Sequence, residues 1–140
     1  MLLIEAARRA SNIALPLAGG VANAWEKEGN QGPVTEADIA VNQMLAEFLR
    51  SERPDYGWLS EETIDSKLRL KKEKVWVVDP LDGTKEFIEG VPHFVVSVAL
   101  VENGIPIIGV LYNPVTKELF SAAKGIGAKL NGKTINCISK

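Results

Sequence analysis

A chain of 140 residues, 46% hydrophobic and 24% charged, is long enough to bury a core and too apolar to be disordered. Sixteen Lys and Arg against eighteen Asp and Glu leave a net charge of −2. With no basic stripe beyond KLRLKKEK at 67–74, which reads as a solvated loop, a nucleic-acid polymer is excluded as the expected partner. The single Cys137 rules out an internal disulfide framework and fits a reducing compartment.

The first segment, MLLIEAARRA, is apolar for only three residues before Glu5, Arg8 and Arg9, too short and too charged for a signal-peptide core. No apolar run is long enough to span a bilayer, so the expectation is a cytoplasmic protein with no membrane partner. Leu2, Leu3, Ala6, Ala10, Ile13, Ala14 and Leu17 recur at helical spacing and predict an amphipathic helix over 2–24, kinked or cut short by Pro16. EKEGNQGP, at 26–33, reads as a loop. A second helix follows: Thr35 is the expected N-cap, Asp38 completes a capping box, and Ile39, Met44, Leu45, Phe48 and Leu49 form its apolar face.

After Pro54 the pattern shortens. YGWLSEE and KVWVVDP read as strands that each run into acids, with Pro80 expected to stop the pairing of the second. Gly83-Thr84 opens a short helix continued by KEFIEG. From His93, itself read as a hairpin residue without catalytic duty, apolar runs are broken by Glu102-Asn103-Gly104 and by Asn113-Pro114 with Thr116-Lys117. These are the marks of antiparallel hairpins. Two helices on a mainly antiparallel sheet make the fold class α+β.

Candidate chemistry sits where the elements end. Asp79 and Asp82 flank the turn DPLDGT, and two carboxylates about 4 Å apart repel by about 4 kcal/mol at an effective dielectric near 20. A hard divalent cation reverses that sign, and Asp79, the Leu81 carbonyl and Asp82 are the oxygen donors magnesium prefers. Amides at the following helix start suit a phosphate. An isolated D-P-x-D-G is equally an ordinary strand-to-helix turn with Asp82 as cap, and Glu61-Glu62 taken alone is a solvated acid pair. An EF-hand is excluded, because the acids fall at positions one and four with glycine at five.

GPVTEAD (32–38), LSEET (59–63), WVVDPLDGTKEF (76–87) and GIGAKLNGKTI (125–135) occur in the order and spacing of the inositol monophosphatase-like family, which the chain resembles over essentially its whole length. That resemblance implies a magnesium-dependent, lithium-sensitive phosphatase with two or three ions. It places Glu61, Asp79 and the Leu81 carbonyl on a first ion, Asp79 and Asp82 on a second, and Glu61 beside a third. It gives Thr84, paired with Asp38, the polarisation of the attacking water, and the Gly83 and Thr84 amides the substrate phosphate; Glu62 and Lys27 match further acidic and basic family positions. Lys85-Glu86-Phe87 looks most like the branch that removes the 3′-phosphate of adenosine 3′,5′-bisphosphate; inositol-1-phosphatase and histidinol-phosphatase branches share the catalytic residues.

Members of that family run to roughly twice this length. The resemblance therefore implies that residues 1–140 are an N-terminal metal- and phosphate-binding domain, the N-terminal half of an αβαβα sandwich, with a C-terminal domain absent that carries a further metal-binding aspartate. Such a half exposes apolar surface through which it could pair as a homodimer. The rival from another class is a non-catalytic module that binds a divalent ion and a phosphate.

Overall fold

Apolar residues buried at alternate positions of two strands build the centre of the molecule. In β4 (Lys74–Asp82) Trp76 and Val78 are buried, and in β5 (Val95–Glu102) Val96, Val98 and Leu100 are, while their neighbours in sequence face the other side. The structure, a computed structural model, describes residues 1–20, 23–26 and 33–135. Among these, β3 (Gly57–Ser60), β4, β5, β6 (Ile105–Asn113), β7 (Glu118–Ala123), β8 (Gly127–Leu130) and β9 (Lys133–Ile135) form one sheet in that order. Only the β3–β4 pair is parallel, with Ser60 opposite Val78; the other pairs are antiparallel. The β5–β6 hairpin turns through Asn103 and Gly104 at φ 49° and 78°, the left-handed conformation an Asn-Gly turn supplies.

One face of this sheet is covered by α1 (Leu2–Ala14) and α2 (Glu36–Glu52). Leu3, Ala6, Ala7, Ala10 and Ala14 of α1 and Ala37, Val41, Leu45 and Leu49 of α2 join Trp58, Trp76 and the buried valines in a single core. The small alanines let the two helices approach closely. On the opposite face a groove of about 310 Å³ is lined by Ser97, Ala99, Gly109, Leu111, Phe120 and Ile135.

Several expectations need adjusting. Of the two effects expected of Pro16, a kink or an early end, the second holds: the first helix stops at Ala14 and the chain converts to a 3-10 turn over Leu15–Leu17. Ile39 is exposed and Val41 is buried instead, alongside the expected Leu45 and Leu49. Pro80 does not end β4: the register shifts between Asp79 and Asp82, and pairing resumes with Asp82 opposite Val95. A bulge accommodates the missing N–H that would otherwise break the ladder. His93 lies in the connection from α3 (Thr84–Glu89) to β5 rather than in a hairpin. The basic run is not all loop: Leu68–Lys71 form a 3-10 turn entered through Lys67 at φ 69°, and Asp65 pins it by accepting from Arg69 Nη2 at 3.0 Å and Nε at 3.2 Å. That guanidinium holds the Asp65 carboxyl below the usual range. Lys27, Gly32 and Cys137 lie outside the described residues, and no helix within them is long and apolar enough to cross a membrane.

The short α3 has no side-chain cap, so its six residues are held by packing: Phe87 is fully buried with its ring 5.0 Å from that of Phe94. Phe87→Ala is expected to lower unfolding free energy by about 3–5 kcal/mol, read by urea denaturation. A loss below about 1 kcal/mol would mean that α3 is not anchored this way.

Candidate metal and phosphate site

The site is assembled at one edge of the sheet by strand direction. Because β3 and β4 are parallel with Ser60 opposite Val78, the residues that follow, Glu61 and Asp79, leave neighbouring strands side by side. Strand spacing alone puts their backbones about 4.8 Å apart. The β4 bulge then turns Leu81 into the core and Asp82 outward to solvent.

α2 supplies the third component. A two-stranded ribbon, β1 (Ala24–Glu26) with β2 (Pro33–Thr35), leads directly into its N-terminus. Thr35 caps the helix as its sequence predicts, accepting from the amides of Ala37 at 3.1 Å and Asp38 at 3.3 Å. Asp38 is buried to 2% exposure, and its carboxylate is fully engaged. Oδ2 accepts from the Thr35 amide at 2.8 Å and hydroxyl at 2.7 Å, and Oδ1 accepts from Thr84 Oγ1 at 3.0 Å. The helix cap is therefore also the partner of the β4–α3 turn. Thr84 Oγ1 also lies 3.1 Å from the Leu81 carbonyl. Its one proton goes to the carboxylate, the stronger acceptor, which leaves the carbonyl oxygen available to another ligand.

Gly83 makes the turn possible. Its φ is 93°, and a Cβ there would lie 2.5 Å from the His93 carbonyl oxygen and 3.2 Å from Phe94 Cα. Only glycine fits.

Asp79 is the electrostatic centre. Its carboxyl is pushed up to about 7, first by burial, then by the negative charges of Glu61, Asp82 and Asp38, against a lowering hydrogen bond from the Leu81 backbone. Three acids predicted from separate segments thus act on a fourth. Among the described residues no three Asp, Glu, His or Cys side chains converge on a single point. The acids share a neighbourhood without forming a closed cage, as mutual repulsion dictates. The candidate donors, the carboxylates of Glu61, Asp79 and Asp82 and the Leu81 carbonyl, are all hard oxygen, which fits magnesium and suits softer metals poorly.

Sequence reasoning missed the support under Glu61. Ser60 to Thr63 form a turn closed by Thr63 N donating to the Ser60 carbonyl at 3.3 Å, with Glu61 and Glu62 at its centre. Ser60 Oγ donates to Asn42 Oδ1 at 2.6 Å, and Thr63 Oγ1 accepts from Asn42 Nδ2 at 2.9 Å and Trp58 Nε1 at 3.1 Å. The available signal was Asn42 at i+4 from Asp38, on the same side of α2.

A raised carboxyl pKa has a definite stability sign. Asp79 titrates at about 7 folded and 3.8 in the ordinary state, so its share of stability is present below about pH 4 and is lost as pH rises through 7. In EDTA, wild type is expected to lose melting temperature relative to Asp79→Asn between pH 4 and 8, with the variant the more stable at pH 8. A wild-type-minus-variant difference that does not change with pH would show that Asp79 is not crowded by charge.

A sequence model of the Inositol monophosphatase family matches residues 2–140. An "Inositol-1-monophosphatase" of Caulobacter vibrioides is 43% identical over 133 residues, 94% of this chain and 52% of that protein. A "3'(2'),5'-bisphosphate nucleotidase CysQ" of Salmonella typhimurium is 44% identical over 102 residues, 72% of this chain and 42% of that protein. The structure of the Thermotoga maritima IMPase superimposes with a TM-score of 0.88 at 34% identity, covering 95% of this chain and 51% of the other. The chain spans about half the length of the curated relatives it matches.

Proposed function

Since the chain belongs to the inositol monophosphatase family, we propose that residues 1–140 carry the metal- and phosphate-binding part of a magnesium-dependent phosphomonoesterase, with magnesium held by Glu61, Asp79, the Leu81 carbonyl and Asp82. The observation that supports this best is the half-buried Asp79, whose carboxyl is raised to about 7 by burial first and then by the charges of Glu61, Asp82 and Asp38. Repulsion of that kind is stabilised by a cation and is otherwise costly.

In this reading Glu61, Asp79 and Leu81 hold one ion, Asp79 and Asp82 share a second, and Glu61 adjoins a third. Bound there, magnesium supplies Lewis acidity, lowering the pKa of a coordinated water and offsetting charge on the phosphoryl oxygens. Thr84 orients the nucleophile: with its proton committed to Asp38 Oδ1, its oxygen presents lone pairs to a water. The buried Asp38, fixed by two bonds from Thr35, keeps that hydroxyl from rotating. The uncapped start of α3 offers the Gly83 and Thr84 amides to the phosphate. Water oxygen forms the new P–O bond as the ester P–O bond breaks, releasing an alcohol and inorganic phosphate. No Ser, Cys or His nucleophile is required.

For the substrate we favour the 3′-phosphate of adenosine 3′,5′-bisphosphate, on Lys85-Glu86-Phe87. Since Phe87 is buried, exposed Lys85 and half-exposed Glu86 carry that distinction. Inositol-1-phosphate is the second reading, favoured by the likeness to the Caulobacter protein over a longer stretch than to the Salmonella nucleotidase. Histidinol phosphate completes the panel. Phosphate release from the three, with magnesium and then lithium, is expected to be greatest for the nucleotide and to be suppressed by lithium. Magnesium binding with no turnover on any would leave residues 1–140 a binding module. Asp82→Asn is expected to weaken magnesium about tenfold or more. Thr84→Val is expected to retain magnesium and lose hydrolysis by about 10²-fold or more; unchanged magnesium titration in the first or unchanged rate in the second would remove those residues from their roles.

A further inference from the structure

Asn42 is buried in the middle of α2 with both ends of its amide used, and both go to one place. Its oxygen takes the hydroxyl of Ser60 at the start of the β3 turn, and its nitrogen gives to the hydroxyl of Thr63 at the end. Between those two anchors lie Glu61 and Glu62. Ser60 Oγ in addition accepts from the Glu62 amide at 3.3 Å, and Thr63 is braced from below by the Trp58 indole. A single side chain thus spans a four-residue turn at both termini. A hydrogen-bonded pair merely filling the core would have no reason to bracket an exposed Glu61 and a half-buried Glu62.

The same helix face carries Asp38 one turn earlier, about 6 Å along the axis. Asp38 fixes Thr84 in the β4–α3 turn, while Asn42 fixes the β3 turn. α2 therefore holds two loops from adjacent parallel strands at a set separation. Any rotation or slide of the helix moves both together.

We propose that Asn42 is a positioning residue for the metal site: through Ser60 and Thr63 it holds the Glu61 carboxylate at the angle from which it reaches an ion shared with Asp79. It touches no ion itself and acts only through the turn. The inference rests on the magnesium reading given above, and the measurement separates the two. Partners one step removed from a metal ligand typically set about 10–100-fold in metal affinity.

Calorimetric titration with magnesium alone, well below the melting temperature, supplies the test, with Thr63→Val as a second variant that keeps shape and removes only the hydroxyl. Asn42→Ala and Thr63→Val are expected to bind magnesium about tenfold more weakly. Val41→Ala, next to Asn42 in sequence and fully buried, is expected to lose thermal stability and leave the affinity within about twofold, since a valine side chain gives the turn no hydrogen bond. In a Glu61→Gln background, Asn42→Ala should cause no further loss, because the residue it positions has been disabled. Wild-type affinity in both Asn42→Ala and Thr63→Val overturns this inference and leaves the metal site standing. A weakening in Asn42→Ala that adds in full to that of Glu61→Gln also overturns it. Absence of magnesium binding in wild type overturns the metal reading and this inference with it. If Asn42→Ala does not fold, Thr63→Val decides.

Discussion

The arrangement depends on one buried carboxylate. Asp38 accepts from the Thr35 amide, the Thr35 hydroxyl and the Thr84 hydroxyl. A carboxylate withdrawn from water to this degree is tolerated only because each oxygen is matched by donors, two of them backed by the positive end of α2. Removing any one bond leaves a charge partly unsatisfied in the core, which is far costlier than the bond itself is stabilising. The geometry is therefore stiff. It ties β2, the first turn of α2 and the β4–α3 turn together at one corner of the molecule, and that corner is where the other acids emerge.

Asp79 shows the opposite arrangement. It is half-buried, and its nearest charges are of its own sign. Two carboxylates on neighbouring parallel strands follow directly from the register of β3 against β4, and the bulge at Pro80 adds a third by turning Asp82 outward. Asp38 carries hydrogen bonds and needs no cation; Asp79 lacks that compensation and is pushed toward protonation. The two carboxylates, both drawn from acidic turns, thus sit in opposite electrostatic surroundings.

How much of this was legible follows from the range of the interactions. The capping box at Thr35 and Asp38, the Asn103-Gly104 hairpin and the end of α1 near Pro16 are local, and each was readable within four or five residues. The unbroken, largely β-branched apolar run VWVV identified β4 as a buried strand. Ile39 was misassigned because an isolated apolar residue near a helix start carries no record of which neighbour will cover it, and the sheet selected Val41. Pro80 was read as a terminator because the rule concerns a lost donor; a bulge removes the need for that donor, and nothing in the sequence announces one. Asp79, Asp82 and Glu61 were legible as candidates through motif and resemblance. The support by Asn42, Ser60 and Thr63 was not, since the helix and the turn lie 18 to 21 residues apart along the chain.

The sheet's two faces complete the logic. Alanine-rich α1 and the valine- and leucine-bearing side of α2 press closely on one face, which fixes the height of α2 above β3 and β4. That height sets whether Asp38 and Asn42 can reach turns on two different strands. A bulkier residue at Ala37, fully buried in the core beside Asp38 in sequence, would lift the helix and lengthen both sets of bonds together. Core packing and the separation of the acids are thus one constraint: the precision of the acidic corner derives from small side chains buried beneath it, and the open second face with Leu111 and Phe120 can vary without disturbing it.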